Sequence, residues 1–304
     1  MHYYNHITEL IGNTPIIKLN NFNLPKNVNI FAKLEFLNPG GSIKDRIGDW
    51  IIKKAEERGE LKPGYTIVEA TAGNTGIGLA LAALNKGYEL ILVVPGKFSI
   101  EKQMIMKALG AKIINTPTAD GLKGAFKEVE RLKKEIKTVF VADQFNNLDN
   151  PEVHYLYTAK EIHEQLDGKV DVFVSGAGSG GTFTGIMKYF RDHDLAVKGV
   201  IADPIGSIIG GGIKGDYEIE GIGNDFIPST LDLKLIDEVV KVSDAKAFHM
   251  VKQLATKEGL LVGSSSGAAF YGALEQARNM EAGNIVVIFP DGAERYLSKN
   301  IYRY

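Results

Sequence analysis

Six residues, Thr71-Ala72-Gly73-Asn74-Thr75-Gly76, join a strand-like run (Thr66-Ile67-Val68-Glu69-Ala70) to a helical run rich in Ala and Leu. A helix start presents unpaired N–H groups and the positive end of the helix dipole, so it favours an anion. Glycines let a ligand approach the backbone closely. Two hydroxyls and an amide in the same turn add neutral hydrogen-bond partners. The turn is suited to grip the carboxylate or phosphate of a small molecule.

A second stretch, Asn38-Pro39-Gly40-Gly41-Ser42-Ile43-Lys44-Asp45-Arg46, places a lysine at a predicted helix start. Ser42 and Asp45 have the spacing of a capping box, which puts Lys44 in the first turn. The positive helix end there disfavours a protonated amine. A lysine with a lowered pKa can form a Schiff base. The alternative is a solvated lysine beside a cap.

Ser175-Gly176-Ala177-Gly178-Ser179-Gly180-Gly181-Thr182 follows another strand-like run. Its glycines and hydroxyls before a helix suit a phosphate. Gly176, Gly178 and Gly181 also match G-x-G-x-x-G, and Asp203 follows at a strand end, as a dinucleotide site requires. A nicotinamide-dependent oxidoreductase is therefore a second reading, and a turn shaped only by packing is a third. Gly263-Ser264-Ser265-Ser266-Gly267 opens a further helix, where one serine could simply be an N-cap.

Other residues carry less. His2 and His6 stand four apart, but no third ligand accompanies them, so no metal is expected. The remaining histidines have no ligand spacing, Trp50 reads as core, and no G-x-S-x-G elbow is present.

These residues need a scaffold of alternating elements. Strands are predicted at 16–19, 30–34, 66–70, 89–94, 112–115, 139–142, 171–174, 198–202, 238–242 and 284–289. Helices are predicted at 43–58, 75–86, 100–109, 122–135, 151–166, 182–193, 244–258 and 266–282. Such alternation implies an α/β fold with parallel sheets flanked by helices. Continuous apolar runs such as Ile285-Val286-Val287-Ile288-Phe289 suit strands buried on both faces. The span 204–230 is glycine-rich and aperiodic, and a loop of that length is usually functional.

The 304 residues carry a net charge of −2 and no cysteine. Near-neutral charge gives no reason to expect nucleic-acid or membrane partners. The absence of cysteine excludes disulfides, thiolate nucleophiles and cysteine-held metal centres. The first residues show no secretory leader, and the cytoplasm is the expected compartment.

Taken in order and spacing, these motifs resemble fold-type II pyridoxal-phosphate enzymes of the cysteine synthase and cystathionine β-synthase family. The resemblance runs from Thr8-Glu9-Leu10-Ile11-Gly12-Asn13-Thr14-Pro15 to Glu294-Arg295-Tyr296-Leu297-Ser298. It implies two lobes, one of residues 35–148 that grips substrate and one of residues 1–34 and 149–304 that binds the cofactor. It implies that Lys44 holds pyridoxal phosphate and then removes the substrate's α-proton, giving an α-aminoacrylate to which a thiol adds. Asn74 would meet the cofactor's phenolic oxygen. Gly178, Ser179, Gly180, Gly181 and Thr182 would cup its phosphate, and Ser265 would face its ring nitrogen. Thr71, Gly73, Asn74, Thr75 and Gln144 would hold the substrate carboxylate, and Gly221 and Gly223 would help close the site.

Within that family, Gly221-Ile222-Gly223-Asn224-Asp225-Phe226 and Asp203-Pro204-Ile205-Gly206-Ser207-Ile208 look like the cystathionine β-synthase branch. Asp225 would then bind the ammonium of homocysteine; an aspartate that merely caps its loop is the alternative. Neither a haem segment nor a C-terminal regulatory module is evident, which resembles bacterial forms using O-acetylserine. Small-molecule substrates and a homodimer are implied. Sulfide as acceptor, giving cysteine, is the close alternative; a catalytically inert binding partner is a further one. Ala72 stands where relatives keep a serine, a departure that bears on the choice of donor and on lyase activity.

Overall fold

The computed structural model describes every residue except His2, Ala72, Lys97, Arg303 and Tyr304. The reading of Ala72, and the His2 half of the His2/His6 pair, therefore lie outside the described residues. Among those described, ten strands form two sheets. One sheet has the order β1 (Ile16–Lys18), β2 (Asn27–Leu34), β10 (Ala282–Phe289), β7 (Val172–Ser175), β8 (Lys198–Pro204) and β9 (Glu238–Val242). Only β1 runs antiparallel, against β2; the pairs from β2 to β9 are parallel. The other sheet, β5 (Lys112–Thr116), β4 (Glu89–Pro95), β3 (Thr66–Ala70) and β6 (Val139–Val141), is parallel throughout.

Each predicted strand is present within a few residues. Parallel strands need covering on both faces, and the apolar runs supply that. Ile285, Val287 and Phe289 pack on one face of the larger sheet, while Val286 and Ile288 pack on the other. In the smaller sheet Ile67 and Leu92 face one cluster, and Val68 and Val93 face another.

The helices are α1 (Lys44–Glu57), α2 (Asn74–Ala83), α3 (Ile100–Ala108), α4 (Gly121–Glu135), α5 (Asp149–Val153), α6 (Ala159–Gln165), α7 (Gly181–Asp192), α8 (Asp244–Glu258) and α9 (Ser264–Arg278). The helix expected at 151–166 is not continuous. A π-helical turn, His154–Thr158, separates α5 from α6. Such widened turns are frequent beside functional sites. Residues 205–232 form no long regular element, as their glycine content predicts.

Two corrections concern helix starts. Ser42 and Asp45 do not make a capping box: Ile43 is the N-cap without a side-chain bond, and Asp45 Oδ2 instead accepts from Gly40 N at 2.6 Å. The serines of α9 lie inside its first turn, after Gly263, and none caps it.

Helices α1 and α2 carry Lys44 and Asn74, and they meet backbone to backbone. A Cβ at Gly48 would collide with the Gly78 carbonyl, and one at Gly78 with the Lys44 carbonyl. Overpacking of a tight contact costs about 1–3 kcal/mol, more than the ~1 kcal/mol of helix propensity that alanine gains over glycine. Gly78→Ala should lower stability in equilibrium denaturation. An unchanged or raised midpoint would show that the two helices part freely.

Candidate active site

A cleft of about 740 Å³ lies between the smaller sheet and the larger one. Lys44, Thr71, Gly73, Asn74, Thr75, Gln144, Gly178, Ser179, Gly180, Thr182, Gly221, Gly223, Asp225 and Ser265 all line it. Of the residues expected there, only Gly181 is not on its wall. Gly181 begins α7, and a Cβ on it would strike the Asn150 side chain. The turns that carry the polar residues follow the carboxyl ends of β3 and β7 (Ala70 and Ser175), where open parallel sheets bind ligands.

Lys44 projects into the cleft from the first turn of α1. Among the described residues its Nζ makes no hydrogen bond or salt bridge. Burial pulls its pKa down to about 8, although the Asp291 and Glu35 carboxylates oppose the shift. Desolvation of the amine is the main cause.

Lys44 is held in place by a buried ion network two residues along. Arg46 Nε donates to Glu35 Oε2 at 2.7 Å, and its two terminal nitrogens donate to Glu161 at 2.7 Å each. Thr14 Oγ1 donates to Glu35 at 2.6 Å, and Lys33 Nζ donates to Glu161 at 2.6 Å. Burial works against a charged Glu35, but Arg46 holds its carboxyl below the ordinary range. The network ties β2, α1 and α6 together.

The cradle before α7 is shaped for an anion. Gly180 has φ +85, which favours glycine, and a Cβ there would strike Leu231. Gly176 and Gly178 lie against Ile222 and the Gly221 carbonyl, so their smallness serves the fit of one loop on another. The N–H groups of residues 178–182 have no partner within the protein among the described residues. Thr182 Oγ1 lies 3.1 Å from Nε2 of His154, whose other ring nitrogen lies 2.9 Å from Thr158 Oγ1. Burial keeps His154 well below its ordinary pKa, hence neutral. The π-helical turn thus presents a neutral imidazole to the cradle's hydroxyl.

The opposite wall carries the residues expected to hold a carboxylate. Gly73, at φ +138, precedes α2, and its N–H donates to Thr71 Oγ1 at 2.9 Å. Thr75 Oγ1 donates to Gln144 Oε1 at 2.6 Å, and Gln144 Nε2 donates to Glu69 Oε1 at 3.0 Å. Burial, and then the charge of Asp143, push Glu69 up to about 8. Asn74 Nδ2 donates to Asp291 Oδ2 at 2.6 Å, and Arg295 donates to Asn74 Oδ1 at 2.9 Å. One hydrogen of the Asn74 amide stays available.

Sequence reasoning missed several groups here. Asp291 also accepts from Tyr296 Oη, and its Oδ1 is buried with no hydrogen-bond partner among the described residues. Lys102 of α3 donates to Tyr296 Oη at 2.9 Å and to Glu220 at 3.2 Å, joining the two walls. The available signal was Asp291's place just past β10, at the carboxyl end of a central parallel strand.

Asp203, the acid required by a nicotinamide site, is not on the cleft wall. It is buried, accepts from Lys241 Nζ at 2.6 Å, and takes Gly210 N–H at 2.9 Å. It pins the glycine-rich loop, so the dinucleotide reading loses its ribose ligand.

Residues 7–291 match the family model described as pyridoxal-phosphate dependent enzyme. The chain is 53% identical over 297 residues to the O-acetylserine dependent cystathionine beta-synthase of Bacillus subtilis (strain 168), covering 97% of each. It is 48% identical over the same length to a cysteine synthase of Helicobacter pylori (strain ATCC 700392 / 26695), again covering 97% of each. The crystal structure of an O-acetylserine dependent cystathionine beta-synthase from Helicobacter pylori superposes with TM-score 0.96 at 46% identity, over 99% of this chain and 100% of that one. A family model matched over most of its length and relatives of about half identity place this chain in the pyridoxal-phosphate dependent enzymes of fold type II, alongside the cystathionine β-synthases and cysteine synthases.

Proposed function

We propose that this chain catalyses a β-replacement in sulfur amino-acid metabolism, joining O-acetylserine (or serine) to homocysteine to give cystathionine. The observation that carries the acceptor assignment is Asp225, a carboxylate on the cleft wall in a loop bonded to the anion cradle. An amino-acid thiol brings an ammonium for it, whereas sulfide does not. Sulfide as acceptor, giving cysteine, is the second reading, and the likeness to a cysteine synthase favours it.

The residues fit pyridoxal phosphate. The unpaired N–H groups from Gly178 to Thr182 suit its phosphate, Lys44 its aldehyde and the Ser265 hydroxyl its ring nitrogen. The free hydrogen on Asn74 Nδ2 suits its phenolic oxygen. When bound, the cofactor supplies an electron sink for the pair left by removal of the α-proton. A neutral Ser265, unlike a carboxylate, leaves the ring nitrogen without a charge partner, which favours loss of a β-substituent over transamination.

Thr71, Gly73, Asn74, Thr75 and Gln144 hold the donor's carboxylate. Lys44 takes the α-proton and later returns it. Acetate leaves the β-carbon with its bonding pair, and the acceptor sulfur forms the new bond there with a pair of its own. Asp225 takes the acceptor's ammonium. Gly221 and Gly223 lie beside the cradle, and closure of residues 35–148 against the rest excludes water from the reaction.

Two copies form the working enzyme in the cytoplasm. Exposed Ile7, Leu10 and Leu84 offer apolar surface for that pairing. The expected mass by light scattering is that of a dimer.

Lys44 must be neutral to take up the cofactor. Because its pKa is lowered to about 8, uptake of pyridoxal phosphate by the apoprotein, followed by visible absorbance, should speed up with pH through about 8. Lys44→Ala should abolish the absorbance. Product analysis with each donor and acceptor pair tests the reaction: cystathionine should exceed cysteine at equal thiol concentrations. Asp225→Ala should raise KM for homocysteine more than for sulfide, and equal losses would count against its role.

A further inference from the structure

We propose that Lys123 and Lys214 are the residues that read the α-carboxylate of the incoming thiol, working as a pair with Asp225 at the cleft mouth. This rests on homocysteine being the acceptor.

Asp225 is fixed from both sides. Gly223 N–H donates to Ala177 O at 2.8 Å, and Asn224 Nδ2 donates to Gly178 O at 2.6 Å. On its other side Phe226 packs edge-to-face on Phe145 and on Phe126 of α4, with centroids 5.3 and 5.8 Å apart. That aromatic contact holds α4 against the loop. It brings Lys123, near the start of α4, to 3.4 Å from Asp225 Oδ2. Lys214 arrives from the glycine-rich loop and donates to the same oxygen at 2.7 Å. All three line the cleft. The Lys214 hydrogen bond holds the Asp225 carboxyl below its usual range, so it is charged at neutral pH.

The carboxylate is anchored while the cations are not. The lysine side chains are 65% and 64% exposed, against 28% for Asp225. Exposed ion pairs of this kind hold weakly, so they exchange readily. An amino-acid acceptor carries one ammonium and one carboxylate. Its ammonium can replace a lysine at Asp225, and the displaced lysine then finds the incoming carboxylate. The two ion pairs at Asp225 become three, counting the new one to the incoming carboxylate. Hydrosulfide carries neither group and gains nothing from the exchange.

The rest of the lining assigns this task to no other lysine. Lys102 and Lys299 both lie against Glu220, at 3.2 and 3.6 Å. Lys44 serves the reacting carbon. The donor's carboxylate is taken at Thr71–Thr75, so the mouth lysines are left for the second amino acid.

The test uses the holoenzyme with O-acetylserine and four thiols: homocysteine, 4-mercaptobutanoate (no ammonium), 3-mercaptopropylamine (no carboxylate) and sulfide. The Lys123→Met/Lys214→Met double variant should raise KM by about five- to thirty-fold for homocysteine and 4-mercaptobutanoate. The rise for 3-mercaptopropylamine and sulfide should be several-fold smaller. Asp225→Asn should show the converse pattern, sparing 4-mercaptobutanoate and penalising 3-mercaptopropylamine. Equal losses across all four thiols would overturn the proposal and mean that the lysines only brace the loop. Wild-type enzyme that uses sulfide but forms no cystathionine would overturn the acceptor assignment itself, and this proposal with it.

Discussion

The guanidinium of Arg46 is the fixed point of this protein. It is clamped between two carboxylates, Glu35 from the end of β2 and Glu161 from α6, with Lys33 completing a neutral set of four charges. All but Glu161 are almost fully buried. Removing one member of such a set leaves another charge without water or partner, which costs about 3–5 kcal/mol. The first turn of α1 therefore has little freedom to shift. Lys44, two residues earlier, inherits its position from a contact that touches no ligand. The electrically balanced network sits behind the cleft, and the Lys44 amine sits in front of it, unpaired among the described residues.

Much of this was legible in the chain. The strands announce themselves as apolar runs because parallel strands are covered on both faces, and Ile285 to Phe289 shows the pattern plainly. The aperiodic stretch after Pro204 was readable from its glycines. The three helix starts at Lys44, Asn74 and Gly181 were readable from glycines and hydroxyls placed just after strand-like runs. These features are local, so residue order carries them.

What escaped was fixed by contacts that the local pattern does not announce, most of them between residues far apart in sequence. Asp45 takes the Gly40 N–H in place of a cap, and burial beside Arg295 decides its environment. Asp291 joins the site through Asn74 and Tyr296, 217 residues back and five ahead. Glu69 lies in the middle of a strand that reads as core, yet it backs Gln144. The π-helical turn at His154 interrupts a pattern that otherwise reads as one helix, and the imidazole there reaches across to Thr182. Asp203, which fits a dinucleotide motif by spacing, is drawn away by Lys241. In each case a tertiary partner outranks a local signal.

The glycine contact between α1 and α2 has a mechanical consequence. Side chains in an interface act as compliant spacers, because a rotamer change lets two helices slide or separate. Gly48 and Gly78 remove that compliance, since peptide atoms of one helix rest on peptide atoms of the other. Lys44 on the one helix and Asn74 and Thr75 on the other thus share one closely packed unit. An opening of the cleft that kept this contact would move both groups together. The exposed lysines and the glycine-rich loop stand apart from that contact, at the mouth, where solvent rather than packed backbone surrounds the side chains.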